Sequence, residues 1–281
     1  RAIESMPDSI VSIELNGMFS ENIYNYPKNL LRIKYGRSFN KPINNLPDSV
    51  CYIDLEESQF EHPINKYPKK LKSIYFPTYY PHKIKNLADS IKKICIPEWC
   101  ITCSIFSTDI IYLKIYNNFV DIFEDIFYTS ILPKTLEFLT LGYRFNHTIH
   151  EYPPNLRYLE FSKLYNQETG NIPDTVKSLI FGNYYDKKIM ALPENLEYLE
   201  FGNSYDVDLP DLPSKLHTLK FGKFYNKNIN AVPSIKKLYI GERFRSNILN
   251  LSLDTIIYVD PIKYKFVLKK CPNNKIFTNK N

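Results

Sequence analysis

Apolar side chains recur along this chain at fixed offsets from a proline, and the offsets are those of a short strand. After Pro193, Leu196, Leu199 and Phe201 follow at three, six and eight residues. The last two lie two apart, so they point to one side of an extended backbone, and Glu200 between them points to the other. The same signature appears as Leu30, Ile33 and Tyr35, as Val50, Ile53 and Leu55, and as Leu216, Leu219 and Phe221. A glycine often comes next (Gly36, Gly142, Gly182, Gly202, Gly222), then an aromatic residue (Phe39, Phe145, Tyr185, Tyr205, Tyr225). Asn or Asp commonly succeeds the aromatic (Asn40, Asn146, Asp186, Asp206, Asn226), and an Ile closes most units (Ile43, Ile149, Ile189, Ile229).

The prolines that head these units set the period. Pro7, Pro27 and Pro47 are spaced by 20, Pro68 comes one residue late, and the 20-residue spacing resumes from Pro133 through Pro153, Pro173, Pro193 and Pro213 to Pro233. Self-similarity of this kind predicts a solenoid of stacked coils. The expected fold is a mainly β, leucine-rich-repeat-like solenoid with one short parallel strand per coil of about 20 residues. Twenty residues leave no room for a full helix on the return arm, so the convex side should be extended or built of short turns. A single coil cannot bury its own apolar set. Each such side chain gains about 1.5–3 kcal/mol on full burial, largely offset by ordering entropy, so stability must come from stacking. The recurrent Asn or Asp is expected to bond backbone groups of the adjacent coil. That reading buries Asn146, which weakens Asn146-His147-Thr148 as a glycosylation acceptor.

The pattern degrades between residues 88 and 132. Ile91, Ile94 and Ile96 fit one coil and Ile110, Leu113 and Ile115 another, without heading prolines. Apolar residues at 119, 122, 123, 126 and 127 have helical spacing and predict a helix, packed on its own coil in preference to projecting as a docking element. From residue 258 to 281 the repeat gives way to Lys- and Asn-rich sequence. The expected organisation is a solenoid over 1–257, of about twelve coils, followed by a C-terminal cap and basic tail over 258–281.

Composition sharpens this only in places. Hydrophobic residues are 44% and aromatic residues 15%, ample for a core. The abundance of Tyr, Lys, Asn and Ile matches AT-rich codons, so the net charge of +6 permits acidic partners without demanding them. Five cysteines of ill-matched spacing point away from a disulfide framework and towards a reducing compartment. No apolar run approaches the length of a membrane span. The chain opens at Arg1 inside a partial repeat, so a longer parent chain is expected.

Units such as Phe39-Asn40-Lys41-Pro42-Ile43 and Phe145-Asn146-His147-Thr148-Ile149 resemble FNIP repeats, and Tyr225-Asn226-Lys227-Asn228-Ile229 is a looser version. The resemblance runs from residue 1 to about 250. This short relative of the leucine-rich repeat is abundant in social amoebae and large DNA viruses. The resemblance implies a solenoid that binds proteins inside a cell, in the host cytoplasm if the chain is viral. In some members an F-box-like segment precedes the repeats and makes the protein a ubiquitin-ligase substrate adaptor. No F-box is visible in this chain, so that alternative places it outside.

Candidate chemistry is sparse. Cys95, Cys100 and Cys103 form C-x4-C-x2-C, but no fourth ligand is evident locally and Cys100 falls on the core aromatic position. His147, His150 and Glu151 lie on a repeat turn without a strict motif. No phosphate-binding glycine loop, nucleophile elbow or metalloprotease motif occurs. No catalytic residues, metal or cofactor are therefore expected, and enzymatic activity is not. The best binding candidate is the concave strand face, where Tyr52, Tyr75, Tyr112, Phe138, Tyr158, Tyr198 and Tyr239 stand among charged residues. Aromatic residues are enriched at interface cores, although tyrosine also simply suits strands. Lys34, Lys93, Lys114, Lys220 and Lys237 on that side are interrupted by Glu14, Asp54, Glu137, Glu160, Glu197 and Glu200. A phosphate-tracking groove favours one sign of charge, so the mixture points to a protein partner and not to nucleic acid. The partner's identity is not legible, and self-association is compatible with the same face.

Overall fold

The computed structural model describes residues 6–84, 87–97, 100, 109–116, 132–260 and 264–278. They belong to two compact units, one reaching through residue 116 and including 132–136, the other running from 137 onward.

The first unit is a parallel sheet of six short strands in chain order: β1 (Ser12–Glu14), β2 (Arg32–Lys34), β3 (Tyr52–Asp54), β4 (Ser73–Tyr75), β5 (Lys93–Pro97) and β6 (Tyr112–Tyr116). The register follows the repeat: Ile13 pairs Ile33, Ile33 pairs Ile53, Ile53 pairs Ile74, Ile74 pairs Ile94 and Ile94 pairs Leu113. The two coils that lack prolines thus stack in register, with Ile91, Ile94, Ile96, Ile110, Leu113 and Ile115 all fully buried. The helix expected over 119–127 lies outside the described residues.

The second unit continues the same plan with β7 (Phe138–Thr140), β8 (Tyr158–Glu160), β9 (Ser178–Ile180), β10 (Tyr198–Glu200), β11 (Thr218–Lys220), β13 (Lys237–Ile240), β15 (Ile256–Val259) and β16 (Lys275–Thr278) in one parallel sheet. Two-residue strands on the return arm, β12 (Ile229–Asn230) and β14 (Ile248–Leu249), pair with each other. Helix α1 (Tyr264–Lys270) fills the return arm before β16. It is the only α-helix among the described residues, none of which forms a helix long and apolar enough to cross a membrane. Each unit is a parallel β-solenoid, with almost no helix among the described residues. The stretch expected to cap it holds α1 and β16, and β15 straddles residue 258, pairing Tyr258 with both Tyr239 and Phe277.

Each coil turns twice. The proline carbonyl accepts the amide three residues on, as in Leu30 N to Pro27 O (3.1 Å) and Leu196 N to Pro193 O (3.1 Å). Proline suits this place because it supplies an acceptor and needs no donor partner. The Ala88 carbonyl does the same for Ile91 N at 3.0 Å. The Val232 carbonyl accepts from Ile235 at 3.1 Å, so this turn starts one residue before Pro233. Leu219 accordingly pairs with Leu238, 19 residues on, although the prolines keep their spacing of 20. The second turn starts at the glycine. A Cβ on Gly202 would lie 2.2 Å from the Gly182 carbonyl oxygen, and one on Gly222 equally close to that of Gly202. Close stacking of one coil on the next therefore excludes a side chain there.

Between the turns, apolar columns run through each unit. The recurrent aromatic forms a stack from Phe145 through Tyr165, Tyr185, Tyr205 and Tyr225 to Phe244, with centroids 6.0–6.5 Å apart. The Asn/Asp position bonds the next coil as expected: Asn146 Oδ1 accepts from Asn166 N (2.7 Å), Asn166 Oδ1 from Asp186 N (3.1 Å), and Asp206 Oδ1 from Asn226 N (2.8 Å). Asn146 itself is exposed, which corrects the expected burial. The ladder lies at the surface because a carbonyl oxygen reaching the next amide leaves the rest of the side chain outside.

Candidate functional site

On the three-residue strands from β2 to β11 the central residue is buried and its two neighbours face outward, so within each unit two columns of side chains form an outer strand face. Of the seven predicted residues, Tyr52, Tyr75 and Tyr112 stand on that face of the first unit and Phe138, Tyr158, Tyr198 and Tyr239 on that of the second. Phe138 is 38% exposed and the others are half-buried.

In the first unit the Tyr52 and Tyr75 rings meet at 5.4 Å, and the Arg32 guanidinium lies 4.5 Å over Tyr52. The Tyr52 hydroxyl donates to Asp54 Oδ2 at 3.1 Å. Burial, then the Asp54 carboxylate, pushes its pKa up to about 12, and burial followed by Cys95 does the same for Tyr75. Tyr112 faces outward on β6, two residues before Lys114. The Lys114 ammonium bonds Glu56 Oε1 at 2.9 Å across 58 residues of sequence and lies 5.0 Å over the Tyr116 ring. Burial acts to raise the Glu56 pKa, but the Tyr116 hydroxyl and Lys114 together hold it below its ordinary value. The Tyr116 hydroxyl has no hydrogen bond of standard geometry, and burial above all, then Cys95 and Glu56, drives its pKa far upward. Burial likewise lifts the Cys95 thiol to about 12, which keeps it un-ionised and unreactive at neutral pH.

In the second unit Phe138 and Tyr158 meet at 6.3 Å. The Tyr158 hydroxyl donates to Glu160 Oε2 at 2.8 Å, and Tyr198 bonds Glu200 in the same way two residues on. Lys220 closes on Glu200 at 2.6 Å. Ser178 separates Tyr158 from Tyr198 by one strand. Tyr239 stands in the other column, stacked on Tyr258 at 4.4 Å, and Tyr258 on Phe277 at 5.9 Å. Tyr258 and Phe277 escape a sequence reading because the 20-residue proline series ends at Pro233; their outward alternation with Ile257 and Ile276 was the available clue.

The other candidates disperse. Cys95 is buried in the outer column of β5, Cys100 is buried beside the Tyr80 carbonyl (3.6 Å), and Cys103 lies outside the described residues. Among the described residues no three His, Cys, Asp or Glu gather as a metal group. His147 packs edge-on to Phe145 at 5.5 Å, as His62 does to Phe60 and His82 to Tyr80. His150 and Glu151 are exposed on the return arm.

One strand per coil, buried Leu/Ile columns and an outward-facing strand surface define a leucine-rich-repeat-like solenoid. Two solved structures share this fold. One is CroV588, a circular leucine-rich-repeat protein (21% identity, TM-score 0.51, 90% of this chain), and the other is YopM from Yersinia enterocolitica (18% identity, TM-score 0.59, 92% of this chain). The chain spans 48% of the former and 61% of the latter. The FNIP Repeat family matches residues 145–184 and 165–204, which lie in the second unit. No curated protein matches the chain.

Proposed function

We infer that this chain is a protein-interaction scaffold, a binding module and not an enzyme, which holds its partner on the outer strand face. The observation that carries this reading is the pairing of three half-buried tyrosines of that face with a carboxylate two residues on. Tyr158 bonds Glu160 at 2.8 Å, Tyr52 bonds Asp54 at 3.1 Å, and Tyr198 bonds Glu200. A ring fixed in this way has lost its rotamer freedom before a partner arrives, so less ordering cost opposes binding. The surrounding charges of both signs, Lys220 on Glu200 among them, give the polar rim that protein interfaces carry. Leucine-rich-repeat-like folds commonly serve such roles, which supports the assignment.

The test is affinity capture from cell lysate with the chain as bait, wild type against the Tyr158→Ala/Tyr198→Ala double variant, quantified by mass spectrometry. At least one protein should be depleted about tenfold or more on the variant, as expected when two aromatic anchors are lost, while circular dichroism and thermal midpoint stay the same. Equal capture by a folded variant would remove this face from the binding site.

A further inference from the structure

The turns after β7 to β11 and β13 each present two residues between the glycine or serine that starts the turn and the stacked aromatic, and successive turns form a second surface. Amide-to-carbonyl bonds tie them into a row: Leu164 N to Tyr143 O (3.2 Å), Tyr184 N to Lys163 O (3.1 Å), Phe224 N to Asn203 O (3.1 Å) and Arg243 N to Lys223 O (2.9 Å). Aromatic residues are unusually open on this rim, with Tyr143 48% and Tyr184 54% exposed. Cations lie on two of the rings. The Lys163 ammonium is 5.0 Å from the Tyr143 centroid, and the Arg243 guanidinium is 4.7 Å from that of Phe224.

The charge balance of this rim differs from that of the sheet. On the sheet side, Arg157 pairs with Glu137, Lys177 with Glu197 and Lys220 with Glu200. On the rim only Lys223 has a carboxylate, Glu242 at 2.8 Å, and no ion pair engages Arg144, Lys163 or Arg243 among the described residues. The next carboxylates along the coils are already engaged, Asp186 by Lys187 and Asp206 by the Asn226 amide.

The geometry points to this rim as a docking site for an acidic, extended peptide segment of a protein partner. Lys163 and Arg243 are held by rings instead of neutralised from within, so their anions come from outside. Four strand steps separate the Lys163 coil from that of Arg243, about 19 Å at a spacing of about 4.8 Å per strand. An extended peptide covers that distance in about six residues, so the matching segment carries acidic groups about six residues apart. A peptide fits better than single-stranded nucleic acid because Tyr143 and Phe224 already have a cation on the ring, which closes that face to a stacking base. This site is separate from the outer strand face and does not depend on it.

The experiment is fluorescence anisotropy with the whole chain at low salt. The probe is a labelled peptide bearing two Glu-Glu pairs set about six residues apart by Gly and Ser. Saturable binding is expected that weakens with salt and falls about tenfold or more in Arg144→Glu/Lys163→Glu/Arg243→Glu. Tyr143→Ala/Phe224→Ala, which keeps every charge, should weaken it about threefold by releasing the cations. Lys188→Glu/Lys236→Glu, at exposed lysines away from the rim, and Tyr158→Ala/Tyr198→Ala should leave it unchanged, which separates this site from general surface charge and from the strand face. Should the triple variant misfold by circular dichroism, Arg243→Gln serves alone, with a loss of about threefold. Absence of saturable binding at low salt, equal binding by the rim variants, or tighter binding of a single-stranded oligonucleotide of equal charge would overturn the assignment.

Discussion

The two units run the same coil with different regularity, and the difference lies in the aromatic columns. In the second unit two columns are aromatic across four successive coils. Phe161, Phe181, Phe201 and Phe221 stack at 5.2–5.7 Å beside the Phe145-to-Phe244 stack. Within a coil the two columns also touch, Phe201 on Tyr205 at 3.9 Å and Phe221 on Tyr225 at 3.8 Å. In the first unit only one column is aromatic, Phe19, Phe39, Phe60 and Tyr80 at 6.0–6.5 Å, and it gives way to buried Cys100. The neighbouring column there alternates Leu15, Tyr35, Leu55 and Phe76. Ring-on-ring stacking requires successive coils to place their rings at the same height. The five strands β7 to β11 pair residues 20 apart, whereas β3 to β4 pairs Ile53 with Ile74, 21 apart, and β5 to β6 pairs Ile94 with Leu113, 19 apart. Uniform coil length and a continuous double stack therefore occur together.

The largest effect that would break this comparison is at Phe201, which touches a ring above, below and beside it. Phe201→Ala should cost about 3–5 kcal/mol in urea unfolding, against about 2–5 kcal/mol for Leu55→Ala at the matching position of the first unit. The excess reflects the larger buried ring and its aromatic pairing. If both variants lose the same stability, the double stack adds nothing beyond buried area.

Glycine sharpens the contrast at intermediate scale. A Cβ on Gly202 meets the Gly182 carbonyl at 2.2 Å, whereas one on Gly17 has nothing within 4 Å. Gly202→Ala should lower stability by about 1–3 kcal/mol by forcing coils apart. Gly17→Ala should be neutral or raise it by up to about 1 kcal/mol through the unfolded state. Thermal midpoints of the two variants measure this directly, and a neutral Gly202→Ala would show that the coils can separate without loss.

The smallest effects concern buried hydroxyls. Tyr35 shares a hydrogen bond of 3.0 Å with Tyr26, whereas the Tyr205 hydroxyl is buried without a partner among the described residues. Tyr35→Phe should cost about 1 kcal/mol because it strands the Tyr26 hydroxyl, and Tyr205→Phe should cost nothing or stabilise slightly. Matched denaturation curves distinguish these outcomes; equal losses would mean that both hydroxyls are satisfied in solution.

Much of the coil is legible in the amino-acid sequence. The offsets between Leu196, Leu199 and Phe201 specify a strand, its buried side and its parallel register, because extended backbone alternates and identical coils stack like on like. Tyr158 and Tyr198 fall on the outer face on the same ground. Pro233 misleads about the coil it heads, since proline fits one residue into a turn as well as at its start. Tyr258 carries no such mark, because a turn whose carbonyl comes from Ser252 needs no proline to announce it, and Pro272, one residue into the turn before Phe277, falls outside the 20-residue series.

Alternation and period are local properties, so the order of residues by itself determined the coil, its stacking direction and the side on which each strand residue lies. Only the folded arrangement decided that Lys114 meets Glu56 across 58 residues, that the Asn146 ladder is exposed, and that Lys163 and Arg243 lie on rings instead of on carboxylates. Those outcomes depend on which side chains of different coils come within reach of one another, a distance that repeat spacing does not encode.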